Sequence, residues 1–472
     1  LFDNIISSGA TISEEELKRA GTLDVRANLG EPEISNSELD ISRVSYRLSH
    51  EFSDTWQIKN EFLASFQNTY EDNSVVGVGF AQIDGQPNLN LLDRVYLENP
   101  NFRKVYTLNT NVIGNFPIAG IPQTLLAGVE WFVETEEDQI TQRLFLPFLS
   151  PDSDPFNIFI QNYDPSRFFP GNNDNVRPGT DSFRRTSNVG FYGQTQLELT
   201  EQILVTLGGR LDFADQFFED KANRADTSPI NTNDTAFSPR VGLVFKPTSN
   251  ISIYANYTTS FNPVIGRSEE GELFTPETGT QWEGGIKGRF FDERITATLA
   301  AFRLRRNNVL TQDPTNPGFQ VQVGEQGSDG IEFDIAGELI PGLNLIASYA
   351  YIDARILEDN EFPPGRGLLN VPKNAASFWS TYEIQGGSLE GLGFGFGLLF
   401  VGDRNGDLRT PFVIPGYTRA DAALYYRRGD FRAQLNIQNL FNARYFEGAR
   451  DQFRVNPGAP FTIFGTLAVE LN

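Results

Sequence analysis

Between 431 and 438 the odd positions are Phe431, Ala433, Leu435 and Ile437, and the even positions are Arg432, Gln434, Asn436 and Gln438. A repeat of two is the period of a β-strand, whose side chains point alternately to its two faces; a helix would return an apolar residue every three or four positions. The same rhythm sets Ile331, Phe333 and Ile335 against Glu332 and Asp334, and Ile203, Val205, Leu207, Leu211 and Phe213 against Thr206, Arg210 and Asp212. It closes the chain with Phe461, Ile463, Leu467, Val469 and Leu471. The pattern predicts an all-β protein.

The alternating segments are long. Those at 186–198, 203–213, 235–246, 251–261, 277–289, 294–306, 328–339, 344–355, 373–384, 389–401, 418–427 and 431–441 run to about 10–13 residues each. Soluble strands average about 5–6 residues, whereas a tilted strand crossing a bilayer needs about 9–11. Their connections alternate too. Lys246–Asn250, Ile340–Gly342, Gln385–Ser388 and Arg428–Asp430 carry turn chemistry, while long connections fall near 70–101, 136–185, 214–234, 262–276, 307–327, 356–372, 402–417 and 442–460. Short turns at one end and long loops at the other are the layout of a transmembrane antiparallel β-barrel, with turns in the periplasm and loops outside. The count is about 18 strands, or 20 if 75–97 adds a hairpin. The strand at 41–51 runs toward the turn side, so an opposite strand is expected before it, over 22–30. The expected organisation is an opening segment with a first strand over 1–40, then a barrel over 41–472. Because unpaired backbone in hydrocarbon costs several kcal/mol per group, such a sheet must close or be completed by further strands.

Composition narrows the chemistry. The 472 residues include 40 Phe and 15 Tyr but a single His and neither Cys nor Met. That removes disulfide frameworks, thiol catalysis and zinc–cysteine sites, and leaves His50 as the one possible imidazole base, next to Glu51 at the turn end of a strand. No enzyme activity is expected. A net charge of −23 argues against nucleic acid as a partner. Gly391, Gly393, Gly395 and Gly397 alternate with Leu392, Phe394, Phe396 and Leu398, so large apolar residues would face lipid and the glycines would leave the bore wall bare. A phosphate-binding loop would need a strand-to-helix junction instead.

Candidate recognition residues sit in the loops. Phe145, Phe148, Phe156, Phe159, Tyr163, Phe168 and Phe169 crowd the longest connection, and Phe453 lies in the last one. Rings supply contact area at small entropic cost, so these can contact cargo; they can equally pack a loop or join an interfacial girdle. Acidic clusters at Glu134 with Glu136, Glu137 and Asp138, at Asp152 with Asp154, at Glu269, Glu270 and Glu272, and at Glu358, Asp359 and Glu361 read as solvated loop surface beside lipid and lipopolysaccharide. Asp403–Asp407 lacks the closing bidentate Glu of a calcium loop, and Arg428-Gly429-Asp430 is a hairpin turn.

Several blocks carry a resemblance. Leu435-Asn-Ile-Gln-Asn-Leu-Phe-Asn-Ala-Arg-Tyr-Phe446 resembles the penultimate-strand signature of TonB-dependent outer-membrane receptors. Pro276–Lys287, Ser238–Leu243 followed by Ile253–Phe261, and Val371–Trp379 are similar to three further family blocks. Their order, together with Thr206-Leu-Gly-Gly-Arg-Leu-Asp212, looks most like the ferric-hydroxamate (ferrichrome-type) siderophore receptors, strongly over 186–472 and less so over 41–135. The resemblance implies a 22-stranded barrel in the bacterial outer membrane, closed by an N-terminal plug that begins with a TonB-engaging box; neither plug nor box is recognisable in these residues. It implies a monomer that imports a ferric siderophore with energy delivered by the TonB complex. The end, Glu470-Leu471-Asn472, departs from the family's usual closing aromatic residue.

Such a cargo suits the composition. Fe³⁺ prefers oxygen ligands, and a siderophore provides them, so the receptor needs no metal ligands or cofactor of its own. A receptor for cobalamin or another scarce nutrient, and a passive porin, are the rival expectations.

Overall fold

The computed structural model describes residues 30–83, 86–145, 156–161, 163–168, 176–221, 229–313, 320–409, 412–451 and 454–470. Among the described residues nineteen strands join one sheet, and every pairing in it is antiparallel. Two of the nineteen add no width. Gln86–Glu98 forms the expected hairpin with the upper part of Trp56–Ile83, but it lies end to end with Asn101–Ile118: both are flanked by Trp56–Ile83 on one side and by Ile121–Phe145 on the other. The two-residue strand Phe156–Asn157 pairs only with Gln86–Glu98. Seventeen staves remain across the sheet. Asn36–Glu51 is paired on one side, with Trp56–Ile83, and Thr462–Val469 on one side, with Phe431–Gln438; no ladder joins these two edges among the described residues. Most of the opposite strand expected over 22–30 lies outside the described residues.

Register gives each face its character. Val241 stands beside Leu207 and Tyr257, and Tyr257 beside Trp282; further round, Phe396 stands beside Ala422, and Leu424 beside Leu435. These residues share the outer face, and many are exposed, Phe237 by 66% and Trp282 by 62%. An apolar surface of this extent has no place in water, whereas the outside of a membrane barrel requires it. The opposite phase carries Asn109, Glu130, Arg210, Arg240, Glu283 and Gln434, a polar inner face.

Two details depart from the expectations. The strands overrun the apolar segments: Ile121–Phe145 has 25 residues and Val176–Glu198 has 23. The connections expected at 136–185, 214–234 and 307–327 therefore shrink to 146–175, 221–229 and 313–319. Above the hydrocarbon the outer face no longer has to be apolar, so the alternation fades while the hydrogen-bonded ladder continues. The glycine stripe is not bare either. A Cβ on Gly397 would collide with the Trp379 ring, and one on Gly393 with the Tyr425 ring; the glycines give these aromatics room to lie flat on the inner wall.

Candidate functional site

The inner wall gathers a charged network from four neighbouring staves. Arg210 donates through Nε to both Asp212 oxygens, at 2.8 and 2.9 Å, and through Nη2 to Glu130 at 3.1 Å. Asn188 Nδ2 donates to Asp212 at 2.7 Å; Asn109 Nδ2 reaches Glu130 at 3.3 Å, and Tyr192 donates to Asn109 Oδ1 at 2.8 Å. Gly190 makes this possible, because a Cβ there would occupy the space of the Arg210 guanidinium. The network borders a recess of about 660 Å³ that also takes in Arg240, Thr258 and Ser260. Asn188 Oδ1 is buried beside it without a hydrogen-bond partner among the described residues. The wall thus offers charge, donors and an unused acceptor to whatever enters the bore, and Asn109, Glu130, Asn188, Tyr192, Arg210 and Asp212 are held by mutual bonds.

The network continues upward. Arg103 grips Glu134 with two parallel bonds of 2.8 and 2.9 Å, and Arg184 stands 3.6 Å from Glu136. Glu134 and Glu136 are therefore strand residues paired across the inner face, not solvated loop surface, because the strand runs on to Phe145. Asp152 and Asp154 lie outside the described residues.

At the outer mouth, Arg94 and Glu31 form an almost fully buried pair at 3.0 Å, with side-chain exposures of 3% and 0%. Arg94 Nη1 also donates to the Gly30 carbonyl, Asp164 N donates to Glu31 at 3.3 Å, and the guanidinium lies 3.9 Å from the Phe156 ring centre. Phe156, 1% exposed, is part of this packing and is closed to cargo. Tyr163 lies against Phe156 in a tilted pair, ring centres 5.6 Å apart, with its own surface open, and Phe159 is half-buried nearby. Desolvation pushes the Tyr163 phenol above its ordinary value and the Glu31 charge adds to this, with Arg94 opposing. Of the remaining predicted rings, Phe148, Phe169 and Phe453 lie outside the described residues. Phe145 ends a strand and Phe168 a short 3₁₀ turn, with side chains likewise outside the description.

Three outer connections are laced together. Arg404 donates to the carbonyls of Phe446 and Glu447 at 2.7 and 2.8 Å, Asn370 exchanges two bonds with the backbone of Ala449, and Asn405 donates to the Gly367 carbonyl at 2.7 Å. Asp403 accepts from Gly416 N at 2.6 Å, which gives the Asp403–Asp407 segment a structural task. The block at 435–446 has one as well. Asn439, fully buried with φ of 54°, donates to the carbonyls of Ala443 and Ala459 and accepts from Ala443 N at 2.7 Å, so it anchors the last long connection. His50 remains on the first strand beside Phe52, remote from the inner-wall network. No group of three or more potential metal ligands occurs among the described residues.

Sequence reasoning passed over Glu130, Asn188, Tyr192 and Arg240 as site residues. The one signal available was the polar phase of the alternation, which also contains Arg210 and Asp212 within the Thr206–Asp212 block.

Comparison with known proteins agrees with this architecture. The chain is 30% identical to the metal-pseudopaline receptor CntO of Pseudomonas aeruginosa over 96% of its own length and 62% of the relative's. It is 29% identical to the ferrichrome outer membrane transporter/phage receptor of Escherichia coli over 85% of this chain and 54% of that one. The chain thus spans under two-thirds of the length of these relatives. Among solved structures, the siderophore receptor PiuA of Acinetobacter baumannii superposes with a TM-score of 0.81 at 22% identity, covering 93% of this chain and 66% of that one, a likeness of fold alone. The family model for the TonB dependent receptor-like β-barrel matches residues 7–440, and its relatives are transport receptors rather than enzymes. With its apolar outer face, charged inner wall and laced outer connections, the chain belongs to the TonB-dependent receptor β-barrel family.

Proposed function

We propose that this chain forms the barrel of a bacterial outer-membrane receptor that imports a ferric siderophore of hydroxamate type by TonB-dependent active transport. The observation carrying this reading is the match of the family model over 7–440 on a sheet whose outer face is apolar and whose inner face is a hydrogen-bonded polar wall. Import of a chelate asks for such a wall. The cargo keeps its iron in its own oxygen ligands, so the protein recognises the chelate's exterior through donors, acceptors and rings. This reading assigns contact with the chelate to Phe159 and Tyr163 at the mouth, the described aromatics among the predicted rings that keep open surface, and passage past the inner-wall recess beside Arg210. The hydroxamate preference rests on the ordered blocks over 186–472, and relatives named for ferrichrome and ferrioxamine B support it.

A second reading is favoured by one observation. The relative matched over 96% of the chain is a metal-pseudopaline receptor, which supports a metal complex of a different chelator as cargo. Titration of the full-length receptor with ferric hydroxamate, ferric catecholate, metal-pseudopaline and cobalamin separates the cases. Saturable binding of the ferric hydroxamate is expected. Response to metal-pseudopaline alone transfers the assignment to the second reading, and response to cobalamin alone refutes both.

A further inference from the structure

One cation on the inner wall stands apart from the network beside it. Arg210 is bonded to Glu130 and Asp212, Arg103 to Glu134, and Arg184 lies against Glu136. Arg240, on the next stave, meets no carboxylate among the described residues, and its side chain is open to the bore. Its register neighbours are Gly208 on one side and Thr258 on the other. Gly208 gives the guanidinium its bed, because a Cβ there would stand 2.9 Å from Arg240 Nε. Ser238, Thr258 and Ser260 border the same recess of about 660 Å³. None of their hydroxyls has a side-chain hydrogen bond among the described residues. The glycine thus lays a free guanidinium among three free hydroxyls.

The charge of the recess is divided between its two sides. Glu130 and Asp212 share the single guanidinium of Arg210, which leaves one negative charge there, while Arg240 supplies one positive charge opposite. A cation exposed in a confined, low-dielectric wall draws an anion toward it. The surplus carboxylate charge nearby favours a singly charged group over a dianion such as phosphate. A carboxylate meets that condition, and its two oxygens match the fork of a guanidinium.

We propose that Arg240, with Ser238, Thr258 and Ser260, forms a carboxylate subsite on the bore wall, and that the ferric chelate this receptor carries bears a free carboxylate that docks there. Arg240 takes the carboxylate through its guanidinium, and the hydroxyls donate to the remaining lone pairs. The inference rests on the siderophore reading above and deepens it, naming a group that the iron centre of the cargo does not itself require.

The test uses the full-length receptor purified in detergent, with heat-modifiable migration on gels to establish a folded barrel. It is titrated with two probes that share one iron core: ferrioxamine B acylated at its free amine with acetic anhydride, which leaves that end neutral, or with succinic anhydride, which leaves it a carboxylate. Quenching of tryptophan fluorescence gives each Kd. Wild type is expected to bind the succinyl form about tenfold more tightly, a preference that shrinks with added salt. Arg240→Gln should bring the ratio to about one without weakening the acetyl form, and Arg240→Lys should keep part of it. Thr258→Val with Ser260→Ala should lower it about threefold. Arg409→Gln, in a remote outer connection, should leave it unchanged. If Arg240→Gln does not fold, Arg240→Lys and the hydroxyl pair carry the same comparison. Failure of wild type to bind either probe refutes the hydroxamate reading, and the subsite falls with it. Binding of both probes without preference, or a preference that survives every one of these variants, overturns the subsite alone. So does an equal loss of both probes on replacing Arg240, which would assign that residue to holding another part of the receptor.

Discussion

Leu435→Arg tests which side of the sheet meets lipid. Leu435 lies on the outer face, with Leu424 and Gly465 as its register neighbours. It is four residues above Phe431, where the strand leaves a tight turn. At about 3.3 Å per residue and a tilt of about 40°, it stands about 10 Å above that turn, close to the middle of an apolar band about 25 Å tall. A guanidinium there costs about 2–4 kcal/mol, or roughly a 30- to 900-fold fall in the folded-to-unfolded ratio. Gln434, one residue earlier, faces the bore and shares a 2.8 Å bond with Asn436. Gln434→Arg forfeits that bond but keeps its charge in water, so its cost is about 1 kcal/mol or less. Urea titrations of both variants refolded into lipid vesicles measure the difference. Equal losses, or a larger loss for Gln434→Arg, would mean that the two faces have been assigned the wrong way round.

Other positions offer independent checks. Asn439→Ala strips the bonds that anchor 440–460 and leaves backbone groups buried and unpaired, so a loss of about 3 kcal/mol is expected in the same titration; a change under about 0.5 kcal/mol would deny the anchor. Glu31→Ala removes the carboxylate that pairs with the buried Arg94 guanidinium and accepts from Asp164 N; faster limited proteolysis within 146–175 is expected, and an unaltered digestion rate counts against a role for this pair in holding that connection. Gly190→Val should displace Arg210 from Glu130 and slow cargo uptake while the barrel still folds, as measured by radiolabelled iron transport. Tyr163→Ala should weaken ferric chelate binding about tenfold in a fluorescence titration if the exposed ring touches cargo; an unchanged Kd would confine it to packing with Phe156.

How much of this was legible in the chain follows from the range over which each signal acts. That strands exist, that one phase of each is apolar, and that tight turns sit at Ile340–Gly342 and Arg428–Asp430 are local matters. Each depends on a few consecutive residues and on the two-residue repeat of extended backbone. The sequence by itself therefore determined the all-β class, the outward direction of Leu435, Phe396 and Ile331, and the inward direction of Gln434 and Arg210. The tertiary structure alone decided which inward residues meet. Arg210 and Glu130 are 80 positions apart, and Arg94 and Glu31 are 63 apart; register between staves and the return path of a connection bring them together. The same holds for Phe156, one more loop aromatic in the chain until Arg94 closes over it, and for Asn439, whose part in anchoring a connection appears once Ala443 and Ala459 are beside it. Alternation assigns a side chain to a face, but partners on that face are chosen by neighbouring strands, and no periodicity within one strand encodes them.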